Sequence, residues 1–301
     1  MTQLLQHDHL LPEIRAILNK PLEERIGAID RDIYIPYSRA EQILSRMERL
    51  YSRSSTGRPP GLLISAPSGN GKSTIRKVFV KRHQTEITPE ADIRSVLAVE
   101  APPVPGERRL LGAIIIAFGV DAYNRDDVEA RMARVMKYLK FCQVRLMIID
   151  EIHNLLAGSH RQIEETCNLI KYLSNRVSVV LIGTERAENV VRSDPQLLSR
   201  FPIVTLPAWR DGTPYRNFLC LLERTIPLHQ ASNLAGDEKA SYILQHSHGI
   251  LGDIVSVVKD AAVSALLDGA ETITMNHLKN PTFSSQKLAK ATSSIVPLAS
   301  Q

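Results

Sequence analysis

The sequence predicts an α/β fold: a parallel sheet with flanking helices, followed by a small all-α domain. Three observations carry it. Short apolar runs alternate with helical stretches over residues 58–207, a glycine-bearing turn follows the first run directly, and from Tyr215 onward only helical periodicity is found. Strands are expected at Leu62–Ala66, Val96–Glu100, Leu146–Asp150, Val179–Gly183 and Ile203–Leu206, with helical stretches of ten or more residues between most of them.

Element by element, SRAEQILSRMERLYSR (residues 38–53) spaces Ile43, Leu44, Met47, Leu50 and Tyr51 as one face of a helix. Ser38 stands as its N-cap, with Glu41 three positions on. The break TGRPPG (56–61) precedes the alternating region. Past Pro207, helical spacing recurs in Phe218, Leu219 and Leu222, in Ala240, Ile243 and Leu244, and in Ile254, Val257, Val258 and Ala261. The expected organisation is an N-terminal helical segment and linker (1–57), an α/β domain (58–207), a helical domain (208–283) and a flexible tail rich in Ser, Ala and Lys (284–301).

Of 301 residues, 44% are hydrophobic and 23% charged, enough apolar content for a sizeable core and too much for a disordered chain. The longest uncharged apolar stretch, Leu110 to Val120, falls well short of the roughly 20 residues that cross a bilayer. Met1 to Leu11 lacks the basic start and apolar centre of a signal peptide. Cys142, Cys167 and Cys220 stand far apart without CxxC spacing, so neither a disulfide framework nor a structural zinc site is expected, and a cytoplasmic setting fits. The net charge of +5 is compatible with a polyanionic partner. With aromatics at 5%, contacts to nucleic acid would go to phosphates rather than to stacked bases.

Leu62-Leu63-Ile64-Ser65 runs into Ala66-Pro67-Ser68-Gly69-Asn70-Gly71-Lys72-Ser73-Thr74, a strand, a glycine turn and a helix start in the context a phosphate-binding P-loop requires. Amides from Gly69 to Ser73 would converge on a β-phosphate at the positive end of the helix. Lys72 would reach the β- and γ-phosphates, and the Ser73 hydroxyl would ligate Mg²⁺. The motif's first glycine is replaced by Ala66. Leu146-Met147-Ile148-Ile149 then ends in Asp150-Glu151, the pattern of a buried strand whose carboxyl end faces the nucleotide. Asp150 would hold Mg²⁺ through water, and Glu151 would polarise the attacking water. A third apolar strand ends at Thr184, whose hydroxyl would bond that water or the γ-phosphate. Arg200, just before a short strand, is placed to complete a neighbouring subunit's site if the chain forms rings, with Arg186 and Arg192 in reserve.

Together these stretches resemble the AAA+ ATPases, and within them the TniB/TnsC transposition ATPases, with Orc/Cdc6-type loaders and IstB more distant. APSGNGKST, IIDEIHNLLAGS, LIGTERA and SRFP carry the resemblance, which spans about residues 25–280. It implies an ATPase using ATP and Mg²⁺ that binds double-stranded DNA, assembles into rings or helical filaments, and recruits or activates a DDE transposase. An ATP-dependent loader in replication or repair, and a nucleotide-gated switch with little turnover, are the rival readings. By the same resemblance Ile33-Tyr34-Ile35-Pro36-Tyr37 lines an adenine pocket; as plain sequence it is an apolar linker. Gly249-Ile250-Leu251-Gly252 departs from the GxxR of many lids, with Gly252 where the arginine would stand. DEIH at Asp150–His153 touches the DExH helicase signature, whose other motifs are missing, and His153 is expected to pack near the strand end. Glu107-Arg108-Arg109, and Arg131, Arg134, Lys137 and Lys140 along one helix face, are the candidate phosphate-backbone contacts.

Overall fold

The computed structural model describes residues 7–53, 59–87, 92–123 and 125–281; the 284–301 tail lies outside them. The chain divides into two units, Ser38–Pro207 and a second that joins Met1–Tyr37 to Ala208–Gln301. Residues 1–57, set apart on sequence grounds, are therefore shared between the two. The short α1 (Pro12–Arg15) and α2 (Leu22–Asp30) go with the second unit, whereas α3 (Ser38–Ser52) opens the first.

In the first unit β1 (Gly61–Ser65) leads to α4 (Lys72–Arg82), then to a small antiparallel hairpin of β2 (Glu86–Ile87) and β3 (Asp92–Ile93). There follow β4 (Val96–Glu100), α5 (Glu107–Ala117), α6 (Val128–Phe141), β5 (Leu146–Asp150), a 3-10 turn (Ile152–Ala157) and α7 (His160–Leu173). The unit closes with β6 (Ser178–Gly183), α8 (Glu185–Ser193), α9 (Pro195–Arg200) and β7 (Ile203–Thr205). Five strands form one parallel sheet in the order β4-β5-β6-β1-β7. The strands near its centre, β1, β5 and β6, are buried along their whole length, which is why they read as unbroken apolar runs.

Local chemistry explains the placement of the helices. On α3, Ala40, Ile43, Leu44 and Met47 repeat at helical spacing and are buried. α7 starts with a reciprocal capping box between Ser159 and Gln162. Gly61 has no room for a side chain, because a Cβ there would stand 2.6 Å from the Phe201 ring.

The second unit packs α2 with α10 (Thr213–Glu223), α11 (Asp237–Ser247), α12 (Leu251–Leu267) and α13 (Met275–Lys279) around Tyr215, Phe218, Ile243, Ile254 and Val258. Ile35 and Tyr37, from the segment read as linker or adenine pocket, join this core, Tyr37 lying 5.1 Å from the Trp209 ring. Burial pushes the Tyr37 phenol up to about 12. Gly249, the first glycine of the GILG stretch, has φ +72° and accepts a 2.7 Å bond from the Trp209 amide. No helix among the described residues is long and apolar enough to cross a membrane.

Candidate phosphate-binding site

The loop between β1 and α4 is shaped by two glycines in the left-handed region, Gly69 at φ +74° and Gly71 at φ +86°. Gly71 is the N-cap of α4 and Lys72 its first residue, so the helix presents its unbonded amides and its partial positive charge to the loop. Ala66 is buried and donates its amide to Gly183 O at 3.1 Å, which seats the base of the loop on β6. Asn70, 2% exposed, donates its side-chain amide to Leu206 O at 2.7 Å and Pro207 O at 2.9 Å, tying the loop to the chain leaving β7. Pro67, Ser68, Ser73 and Thr74 are exposed along the loop and first turn of the helix.

Lys72 folds back over the loop, donating to Ala66 O at 2.9 Å and Pro67 O at 2.8 Å. Burial pushes its ammonium below the ordinary lysine range, while the Glu151 and Asp150 carboxylates pull the other way. These pairings join the loop electrostatically to the acids at the end of β5.

Asp150 is 2% exposed and spoken for at both oxygens. Oδ1 accepts the Glu151 amide at 2.9 Å, and Oδ2 lies 2.9 Å from Arg76 Nε. Glu151 is half-buried with φ +55°, and its Oε2 lies 3.1 Å from His153 Nε2. His153 thus packs near the strand end, as expected, but against the acid itself. Thr184 occupies the N-cap position of α8, half-buried, without a capping bond from its hydroxyl.

A buried carboxylate on β5, an exposed hydroxyl at Ser73 and a cradle of unbonded amides fit a Mg²⁺-nucleotide. Arg76 is the site residue that motif reading missed. Its signal was positional: four residues past Lys72, it shares the helix face that looks toward the strand ends.

Other candidates lie elsewhere. Arg200 spends Nη1 on Lys171 O at 2.7 Å, Ser174 Oγ at 2.9 Å and Asn175 Oδ1 at 2.9 Å, closing the C-terminus of α7. Of its reserves, Arg186 is exposed in the first turn of α8, and Arg192 pairs with Glu188 at 2.7 Å.

The basic face of α6 needs correction. Arg131 is 7% exposed and donates to Asp126 O, Arg108 O and Tyr123 O. Arg134 pairs with Asp126 at 2.7 Å and lies over the Tyr123 ring. Both organise the α5–α6 connection rather than offering charge to a phosphate backbone, because that helix face meets the preceding loop. Lys137 and Lys140 on α6, and Arg108 and Arg109 in the first turn of α5, are exposed.

A five-stranded parallel sheet in this order, with a glycine cradle where β1 meets α4 and an acidic pair at the end of β5, defines an AAA+ protein. The chain belongs to the bacterial TniB protein family, whose profile matches residues 25–211. Solved structures share the fold at low identity. The Aeropyrum pernix ORC2 protein in ADPNP-ADP complexes superposes with a TM-score of 0.60 at 18% identity, over 87% of this chain and 73% of that one. The A. pernix ORC1 protein in complex with DNA gives 0.56 at 17%, over 85% and 68%, and Cdc6p from Pyrobaculum aerophilum gives 0.55 at 14%, over 87% and 73%. No curated protein matches the sequence.

Proposed function

We propose that this TniB-family protein is an ATPase that assembles on double-stranded DNA in its ATP-bound state and recruits or activates a DDE transposase. The observation that carries the nucleotide reading is the cradle of Gly69, Gly71 and Lys72 at the start of α4, electrostatically joined to Asp150 and Glu151.

In this reading the Lys72 ammonium leaves Ala66 O and Pro67 O for the β- and γ-phosphates, and the first-turn amides of α4 hold the β-phosphate. Ser73 and Asp150 hold Mg²⁺, which when bound neutralises phosphate charge. Glu151 takes a proton from the water that attacks the γ-phosphorus, the bond to the bridging oxygen breaks, and ADP and phosphate leave; the Thr184 hydroxyl orients the water. Exposed Arg108, Arg109, Lys137 and Lys140 supply DNA phosphate contacts. Arg200 serves a neighbouring subunit only by giving up its three bonds around the end of α7, so Arg186 enters as an alternative.

The neighbours known with nucleotide or with DNA support the reading by fold. Gly252, standing where many lids place an arginine, favours a second reading, a switch that binds ATP and turns over little. Duplex-DNA binding and particle size, measured with ATP, ADP and a non-hydrolysable analogue for wild type and Lys72→Ala, test the first. Large particles on DNA that need triphosphate and Lys72, and that capture a DDE transposase, support it. Equal weak DNA binding in all nucleotide states overturns it, while assembly by a protein with no turnover for Glu151→Gln to remove leaves the switch.

A further inference from the structure

We propose that His153 is the positioning residue for Glu151, holding its carboxylate so that one oxygen stays open to the attacking water. This rests on reading Glu151 as the base. Three constraints converge on that residue. Its amide donates to Asp150 Oδ1 at 2.9 Å, and its carbonyl accepts the Asn154 amide at 2.9 Å. Its carboxylate meets His153 Nε2 through Oε2 at 3.1 Å. The backbone between them is in the left-handed region at φ +55°, which a glutamate adopts only where its surroundings impose it.

The imidazole is suited to this task by its other nitrogen. His153 Nδ1 is buried with no hydrogen-bond partner among the described residues. A proton there would be an N–H sealed away without an acceptor, so the ring proton is assigned to Nε2, the nitrogen 3.1 Å from Glu151 Oε2. Met at Oε2 by the imidazole, the carboxylate is fixed in direction and turns Oε1 toward the attacking water. The turn carrying both residues is seated against the end of β6. A Cβ at Gly183 would stand 2.8 Å from Ile152 Cγ2 and 3.7 Å from the His153 amide, so the end of β6 and the turn that aims Glu151 fit together with no slack. Both side chains are partly exposed, His153 at 26% and Glu151 at 33%.

The test uses the full chain and steady-state ATP hydrolysis. For His153→Ala, kcat falls about tenfold while KM stays within about twofold, a part of the effect of losing a general base outright. His153→Gln, whose carboxamide still offers an N–H, recovers most of the loss. Unchanged kcat in His153→Ala overturns the proposal, as does a His153→Gln variant no better than alanine, which would mean the ring only fills space. A second readout needs no turnover: the imidazole ¹⁵N spectrum reports which nitrogen carries the proton and what it meets. Glu151→Gln shifts the His153 Nε2 resonance, and Glu164→Gln on the exposed face of α7 does not. A resonance unmoved by Glu151→Gln overturns the pairing. Wild type that binds ATP without hydrolysing it removes the base reading, yet a shifted Nε2 still upholds the positioning of Glu151 by His153.

Discussion

Arg76 Nε stands 2.9 Å from Asp150 Oδ2, so the helix that begins with Lys72 also neutralises the acid at the end of β5. The carboxylate is 3% exposed and the guanidinium 24%, a pair sealed mainly on the acid's side. Without a cation nearby, a buried Asp150 would lose far more solvation than its bond from the Glu151 amide returns. Arg76 therefore supplies the positive charge that keeps the strand end folded before nucleotide arrives.

That dependence gives the first prediction. Arg76→Gln leaves Asp150 buried beside Lys72 alone, and thermal unfolding without divalent cation should show a loss of about 2–3 kcal/mol. Adding Mg²⁺ with ATP should then stabilise the variant more than it stabilises wild type, because the incoming cation replaces the missing one. Equal ligand-induced shifts in the two proteins would show that Arg76 and the cation do not share Asp150.

Asn70 supports a second. Its side-chain amide is the shared donor to the Leu206 and Pro207 carbonyls. Asn70→Leu removes that donor and keeps the bulk. Leaving those carbonyls without it should cost about 2 kcal/mol and weaken ATP binding by loosening the loop. Urea unfolding and nucleotide titration read the two effects separately, and the binding loss should persist at temperatures where the variant is fully folded.

Much of the site was legible because its chemistry demands particular residues at fixed spacing. Gly69 and Gly71 adopt positive φ, and the apolar run before Asp150 is a buried parallel strand, as such runs must be. Legibility ended where function of a side chain depends on which way its face turns. Arg131 and Arg134 share a helix face with Lys137 and Lys140, yet the first two are drawn onto the loop before α6, a contact that helical spacing does not encode. Arg76 was overlooked for the mirror reason: its spacing from Lys72 places it on the same helix face, but spacing alone does not say that this face meets an acid 74 residues on (150 − 76). The β2–β3 hairpin went unread because two-residue strands carry no period.

Gly249 gives the third prediction. At φ +72° a side chain is already disfavoured, and a Cβ there would lie 2.3 Å from the Trp209 carbonyl oxygen, backbone that has nowhere to go. Gly249→Ala should break the Trp209 amide bond to Gly249 and cost about 3 kcal/mol in thermal unfolding. Gly27→Ala, on α2 with open space at its Cβ, should be neutral or slightly stabilising. The contrast separates steric exclusion from a general intolerance of alanine.

The last prediction concerns acid. Arg25, 8% exposed at its side chain, binds Glu271 through a fork at 2.8 Å and 2.5 Å, and its Nε and Nη2 also donate to Pro227 O. The Arg25 bonds hold the Glu271 carboxyl below its ordinary 4.5, partly opposed by its own burial, and the His229 amide adds to the lowering. A carboxyl depressed by folding contributes stability that is present above its unfolded value and disappears as pH falls through the folded one. Unfolding followed by the Trp209 fluorescence should therefore weaken below about pH 4.5, and Glu271→Gln should flatten that slope while lowering stability at pH 7 by about 2 kcal/mol, since the arginine stays buried without its charge partner. Identical pH slopes in the two proteins would assign the acid sensitivity to other carboxylates, among them Asp268, whose bonds from the Ala270 amide and His277 depress it in the same direction.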